Sequence, residues 1–440
     1  MKMIGPHLCP IPWNHIGIQQ NGDLRQCCQM TKNPFGKFIS NGEAARFSVE
    51  NVDLARNHES VKQLRQEMME GMRPSACQLC WTEEDSGIFS KRLHMLSDYD
   101  MDPLLSNTKP DGTIDVEKVP LEYLDLRLGN LCNLRCRSCG PGDSSLWVDD
   151  HGELTQKNGK AVMHYYGSKD YQLIKSSGTW RIDSDDFSWH EDPEFHRWFD
   201  SMISASVTRL YFTGGEPTVN KHHMKMLDRA IEIGKARNIS LEYNTNMVAI
   251  PPRLLDQWRH FKRVGLGVSI DAMGPLATYI RNPSKWNDVE ANCDSIGYGQ
   301  IPQLMASIAS TISVLNIRHF IDLSKWAIIK RYSHFSRWPS WHMLHGPVHL
   351  NVQILPDDIK REIEREYHEF YAWIGDNFGK NDMEYASNYY QGIINFMWKE
   401  SRTDELVNLR TSTDALDRIR NESLSQSIPW LDEILRRSLL

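Results

Sequence analysis

Three cysteines in one short run constrain this chain more than any other feature. The run reads Cys132-Asn133-Leu134-Arg135-Cys136-Arg137-Ser138-Cys139, a C-x3-C-x2-C spacing. It follows Leu121 to Leu128, an apolar stretch with the length of a strand, so the cysteines fall in a loop at a strand's C-terminal end. Three thiolates at that spacing can hold three irons of a [4Fe–4S] cluster, for which cysteine is the usual ligand. The fourth iron is then open to a chelating small molecule. A structural zinc site needs a fourth Cys or His. The run supplies none nearby, so zinc requires a ligand from elsewhere in the chain.

The chain has nine cysteines. An odd number in 440 residues argues against a disulfide framework. Five lie near the start: Cys9, Cys27, Cys28, Cys77 and Cys80. Cys9 and Cys27 flank Gly22 in a C-x12-G-x4-C pattern, and Cys77-x2-Cys80 follows about fifty residues later. Asn14 to Arg25 reads as a hairpin turning at Asn21-Gly22-Asp23. Asp53 to Met72 reads as a helix with Leu54, Val61, Leu64 and Met68 as its apolar stripe. Gly71 and Pro74 stop it, which puts Cys77 and Cys80 in the loop beyond.

Length suits two or three domains of about 100–200 residues each. With 40% hydrophobic residues the chain can bury a core, which excludes disorder as a whole. The 50 basic and 57 acidic residues leave a net charge of −7. That lacks the electrostatic footprint of a nucleic-acid binder, so no nucleic-acid partner is expected. Met1 to Trp13 has no signal-peptide core, and no apolar run reaches the ~18 residues of a membrane span. A cytoplasmic protein with reduced thiols and no membrane contact is expected.

Residues 1–100 form the first predicted unit, and 97–119 read as a linker. From 115 to 355, strand-like and helix-like stretches alternate. The predicted strands are Leu121 to Leu128, Thr208 to Phe212, Ser240 to Asn244, Val264 to Ile270, one within Pro302 to Val314, and Val348 to Ile354. Helical patterns such as His222 to Arg237 separate them. Such alternation predicts an α/β fold with a parallel sheet or barrel. Unusual residues gather where the strands end: Gly214-Gly215-Glu216-Pro217, Thr245-Asn246 and Asp271. Barrel folds place their sites there. Residues 140–200 read as an insertion. Residues 356–440 read as helices with solvated charged faces, Asp357 to Phe378 carrying Ile359, Ile363, Tyr367, Phe370 and Ile374 between its charges.

With these positions in place, the chain resembles the radical S-adenosylmethionine (radical SAM) superfamily, over about 350 residues from Cys9 to Leu355. The hallmark of that family is C-x3-C-x2-C after the first strand of a partial (β/α)6 barrel. The resemblance implies that the amino and carboxylate groups of S-adenosylmethionine chelate the open iron. One electron from the cluster then cleaves a carbon–sulfur bond, and the resulting 5′-deoxyadenosyl radical abstracts hydrogen from a substrate. It further implies an electron donor such as flavodoxin or ferredoxin. Gly214-Gly215-Glu216 matches the family's GGE motif, whose Glu and backbone carbonyls accept from the methionine ammonium. Ser269 and Arg281, with Val268-Ser269-Ile270-Asp271, resemble the ribose- and carboxylate-contacting region. Asn246 stands where relatives carry Thr-Asn-Gly, although Met247 replaces the glycine. Ser138 replaces an aromatic residue that packs near the adenine.

Cys9, Cys27, Cys77 and Cys80 are similar to the opening of the SPASM domain and its shorter twitch form. That implies one auxiliary [4Fe–4S] cluster with no open iron, on a module that normally follows the barrel. Cys28 can exchange with Cys27 as ligand, and a four-cysteine zinc knuckle is the alternative. The implied substrate is a peptide or protein side chain. Small metabolites, sugars and nucleotides are a second class, and a non-catalytic zinc-stabilised interaction protein is a third. Cys293 reads as a plain thiol. His222-His223, His342, His345 and His349 lack a metal-ligand spacing. Trp180, Trp189, Trp198, Trp338 and Trp341 read as core or interface anchors.

Overall fold

The computed structural model describes residues 7–30, 36–40, 42–165, 169–297 and 301–437. The first six residues of the stretch inspected for a signal peptide lie outside these. The main sheet has eight strands. They are β1 (His15–Ile18), β2 (Leu24–Arg25), β3 (Tyr123–Leu126), β4 (Arg209–Phe212), β5 (Ser240–Thr245), β6 (Arg263–Val268), β7 (Leu304–Ile312) and β8 (Ser340–Met343). Their spatial order is β8-β7-β6-β5-β4-β3-β1-β2. All neighbours from β8 to β1 are parallel, and β2 folds back antiparallel on β1. The chain is thus α/β with a parallel sheet.

Two strand expectations change. The sixth strand of the alternating segment is β8, not Val348 to Ile354. The latter run forms two 3-10 turns, Val348–Leu350 and Val352–Ile354. Its buried stretch has no alternation: Val352, Gln353 and Ile354 are all buried, and the Gln353 amide donates to the Phe396 carbonyl. Continuous burial with a side chain tied into a helix leaves no free ladder edge to pair. The second change is larger. The hairpin β1–β2 of the first unit belongs to the main sheet, with His15 opposite Tyr123 and Gly17 opposite Asp125.

Register then sorts the sheet into two faces, because side chains alternate along each strand. Leu124, Leu126, Leu210, Phe212, Leu241, Tyr243, Val264, Leu266 and Val268 share one face and are buried. Helices Pro193–Ala205, Lys221–Glu232 and Pro252–Trp258 cover it with Phe195, Phe199, Met226, Leu227, Leu254 and Trp258. Full burial of each such side chain contributes about 1.5–3 kcal/mol. The other face is polar: Tyr123, Asp125, Tyr211, Glu242, Asn244, Ser307, Thr311 and His342.

In the first unit, the single predicted helix is two, α1 (Val49–Arg56) and α2 (Glu59–Met69). The His58 side chain accepts from the Ser60 amide and caps a new helix start. The break turns Leu54 outward, 62% exposed, while Val61, Leu64 and Met68 stay buried. Cys77 and Cys80 are not in a loop. Cys77 ends a 3-10 turn, Ser75–Cys77, and Cys80 lies on α3 (Gln78–Asp85). Residues 97–119 are not a loose linker either. Leu104, Ile114 and Val119 are buried, and buried Arg65 donates to the carbonyls of Pro12, Arg56 and Gly112. Helix α4 (Lys91–Asp98) completes this part.

The insertion contains a helix, Trp147–Thr155, and a three-stranded antiparallel sheet of Ala161–Tyr165, Lys169–Ser176 and Thr179–Ile182. Met163, Tyr171, Leu173 and Trp180 form its own small core. Helices Asp357–Phe378, Lys380–Trp398 and Leu406–Arg420 follow the sheet. Ile359, Ile363, Tyr367, Phe370 and Ile374 are buried against the main core. Among the described residues, no helix is long and apolar enough to cross a membrane.

Candidate active site

The loop after β3 carries Cys132, Cys136 and Cys139. Tight local bonds shape it: the Cys139 amide donates to the Cys136 carbonyl at 3.0 Å, and the Leu134 amide points to the Cys132 sulfur at 3.4 Å. Trp147 Nε1 donates to the Cys136 carbonyl and Ser144 Oγ to that of Leu134. Burial pushes the Cys132 thiol up to about 12. The Cys139 thiol donates to the Cys136 sulfur, which lowers Cys136 and raises Cys139. Arg281 reaches Cys136 with Nη1 at 3.9 Å and pairs with buried Asp271 at 2.8 Å. Buried sulfurs beside a guanidinium, in a loop at the C-terminal edge of a parallel sheet, are a donor set that draws a thiophilic metal centre.

The Gly-Gly-Glu turn follows β4 and abuts this loop. Gly214 and Gly215 have φ of +75° and +62°. A Cβ on Gly215 would sit 2.3 Å from the Leu131 carbonyl oxygen, so only glycine fits there. Glu216 is buried, and its carboxylate receives four donors: the Thr218 amide and hydroxyl, the Thr245 hydroxyl and the Asn246 amide. Burial still raises its pKa. Three of these donors reach Oε1 and the Asn246 amide reaches Oε2. Glu216 therefore braces the ends of β4 and β5 together.

Asn246 donates to Asn133 Oδ1 at 2.7 Å, which ties the end of β5 to the cysteine loop. Met247 holds φ +61° and is fully buried. The left-handed backbone of a glycine position is thus kept without the glycine. Ser269 is half-buried, its amide bonded to the Thr245 carbonyl. Ser138 is half-buried between Arg137 and Cys139.

Sequence reasoning missed what holds the loop from outside. Arg137, between the second and third cysteines, is buried. It sits 3.7 Å over the Tyr279 ring and ion-pairs with Asp417 and Glu422. Arg135 and Arg420 share Asp150. Asp417 and Arg420 lie on α6, where we number the helix Leu406–Arg420 after α5 (Lys221–Glu232). The inner face of α6 is thus a charged clamp on the cysteine loop, not the solvated surface its composition suggested.

Cys9, Cys27, Cys77 and Cys80 line one cavity with Ile11, Met30, Leu64 and Met68. Burial pushes Cys9, Cys77 and Cys80 up to about 12. Cys28 is not part of that lining. Its sulfur meets Lys91 Nζ at 3.3 Å, and Lys91 stands 5.8 and 5.3 Å from the Tyr123 and Tyr211 rings on the polar sheet face. Cys293 is fully buried in Trp286–Gly297. His223 is buried and bonded to the Tyr243 hydroxyl. His342 is exposed on the polar face, near His94, Cys28 and Lys91.

Residues 126–297 match the Radical SAM superfamily. That segment, less than half of the chain, is similar to the radical SAM superfamily, a class of enzymes. The superfamily uses S-adenosylmethionine and a [4Fe–4S] cluster, and Cys132, Cys136 and Cys139 lie within the matched segment. A GTP 3′,8-cyclase from Nitrobacter winogradskyi is 25% identical over 138 residues, which are 30% of this chain and 39% of that protein. The chain therefore matches about two fifths of its curated relative's length. Among solved structures, native anSMEcpe with bound AdoMet aligns at 16% identity and a TM-score of 0.36, over 59% of this chain and 60% of that one. Streptococcus suis SuiB bound to precursor peptide SuiA aligns at 12% identity and 0.36, over 83% and 69%.

Proposed function

We propose that the chain is a radical S-adenosylmethionine enzyme that acts on a peptide or protein side chain. Cys132, Cys136 and Cys139 would hold the catalytic cluster, and Cys9, Cys27, Cys77 and Cys80 an auxiliary twitch/SPASM-like one. When bound, cluster and S-adenosylmethionine supply one-electron cleavage of a carbon–sulfur bond and a radical that removes hydrogen from the substrate. The chain's own residues do the rest. Gly214 and Gly215 let the turn that would receive the methionine group pack directly on Arg127 and Leu131. Glu216 and Asn246 fix that turn against the cysteine loop. Ser269 offers a hydroxyl for ribose, and Arg281 places a positive charge beside the sulfurs.

Donor count favours a cluster over zinc at the loop, because three thiolates leave one iron open whereas a structural zinc closes with a fourth Cys or His.

The shape of the polar sheet face carries the substrate reading. It holds an open groove of about 350 Å³ lined by Tyr211, Glu242, Asn244, Gly265, Gly267 and Ser307. The two glycines bare the strand so an extended chain can lie against it. Arg209 nearby is already paired with Asp98 and Glu242. Glu242 and Arg263 put one charge of each sign beside this bared backbone, which suits an extended peptide with side chains of either charge. The nucleotide reading rests on the GTP 3′,8-cyclase relative.

Anaerobic reconstitution tests the proposal. The loaded chain with dithionite should convert S-adenosylmethionine to 5′-deoxyadenosine, and replacing Cys132, Cys136 and Cys139 by Ala should abolish this. Zinc as the sole bound metal and no 5′-deoxyadenosine would refute it. Deuterium transfer to 5′-deoxyadenosine from a labelled peptide pool supports the peptide reading, and transfer from a labelled nucleotide overturns it. Flavodoxin or ferredoxin would replace dithionite in a cell.

A further inference from the structure

The only three-residue group of ligand-type side chains gathered tightly enough for a single ion, among the described residues, contains no cysteine. It is His190, Glu191 and His222: one ring nitrogen from each histidine and one carboxylate oxygen all lie within 4.8 Å of one another. His190 and Glu191 end the 3-10 turn Asp186–Glu191, and His222 stands in the first turn of α5. His190 is 5% exposed. Nδ1 of His190 and Nδ1 of His222 are both buried without a hydrogen-bond partner. The two rings meet edge to face at 5.0 Å, and His222 Nε2 lies 3.6 Å from Glu191 Oε1.

A buried imidazole nitrogen left without a partner loses about 1–3 kcal/mol, and an ion bound at such a nitrogen removes that cost. We propose that His190, Glu191 and His222 bind one divalent transition ion of the zinc type, independently of the cysteines. Two imidazoles and a carboxylate are a known zinc donor set with one position left for water.

The ion would serve the neighbouring loop. The 3-10 turn presses on Gly129, where a Cβ would fall 2.5 Å from the Phe187 carbonyl oxygen and 3.4 Å from His190 Cε1. Gly129 lies three residues before Cys132. α5 starts five residues after Glu216, and its cap Asn220 donates to the Leu128 carbonyl. Bridging the turn to α5 therefore fastens the two segments that flank the cysteine loop and the Gly-Gly-Glu turn.

The test uses the full chain with its cysteine sites loaded with iron and sulfide, then dialysed against Zn²⁺ alone. The expected result is about one zinc per chain, with nitrogen and oxygen neighbours near 2.0–2.1 Å by X-ray absorption and no sulfur neighbour. His222→Gln and Glu191→Gln, both at solvent-reached positions, should weaken zinc binding tenfold or more while iron content stays the same. His190→Gln should do so too. Zinc with sulfur neighbours, no zinc after dialysis, or unchanged affinity in His222→Gln and Glu191→Gln would each overturn the proposal.

Discussion

Replacing Arg137 by Met tests whether the C-terminal helices hold the cysteine loop. The Arg137 side chain is 2% exposed. Nη2 bridges Asp417 and Glu422, and Nε donates to the Tyr279 carbonyl at 3.0 Å. Methionine keeps the aliphatic length but leaves two carboxylates, each 13% exposed, without their cation. Breaking one side of a buried ion pair costs about 3–5 kcal/mol. The carboxylates keep other donors here. Asp417 retains the Leu424 amide at 2.7 Å, and Glu422 retains Asn282 at 2.6 Å. Those bonds place the expected loss at the lower end, about 3 kcal/mol. Asp417→Asn removes one stranded charge, so the double variant should recover about 1–2 kcal/mol relative to additivity. Urea unfolding followed by tryptophan fluorescence reads this, and iron bound at Cys132, Cys136 and Cys139 should fall with it. A loss below about 1 kcal/mol, or strict additivity, would mean the clamp is a surface contact and the reasoning is wrong.

Other outcomes follow from single positions. Gly215→Ala drives a Cβ to 2.3 Å from a carbonyl oxygen. It should weaken S-adenosylmethionine binding at least tenfold in equilibrium dialysis by displacing the turn, and wild-type affinity would contradict the role of that packing. Cys27→Ala should cost about one cluster of iron, whereas Cys28→Ala should retain it, because Cys28 faces Lys91 and not the cavity. Equal iron loss in both would show that the two exchange. His319 accepts the Met273 amide at 3.1 Å, and burial lowers its pKa below 6.5. The unfolded chain then binds the proton more readily. Its contribution to stability is full above pH 6.5 and falls as pH drops below that value. His319→Gln should flatten that part of the Tm–pH curve, and an unchanged slope would remove His319 from the account.

What was legible in the sequence is local. The C-x3-C-x2-C run and Gly214-Gly215-Glu216 are short, and their spacing alone carries their chemistry. Five of the six predicted strands lie where apolar alternation ends in turn residues. The sixth failed because a continuously buried run such as Val352 to Ile354 carries no period to read. The Arg137 clamp joins residues 280 positions apart, and the Arg420–Asp150 pair joins residues 270 apart. No spacing signals either. Composition even misled, because a helix with as many charges as Leu406–Arg420 reads as solvated until its partner is seen. Met247 shows the converse. The missing glycine was visible, but that full burial holds its left-handed backbone, at a cost of about 1–2 kcal/mol, was not.

The pairing of β1 with β3 fixes where the cysteines that precede the sheet sit relative to the Cys132 loop. Cys9 precedes β1 and Cys27 follows β2, so both sit by the end of the sheet where His15 and Tyr123 pair. The Cys132 loop leaves the opposite end of β3. Two sets of cysteines are thereby fixed at opposite ends of one four-residue strand, a rise of about 10 Å plus the loops. Tyr123, Asp125, Lys91 and Cys28 fill the polar face between them. What the sheet fixes is place and not chain order. The two cysteine sets flank that face whichever came first in the sequence.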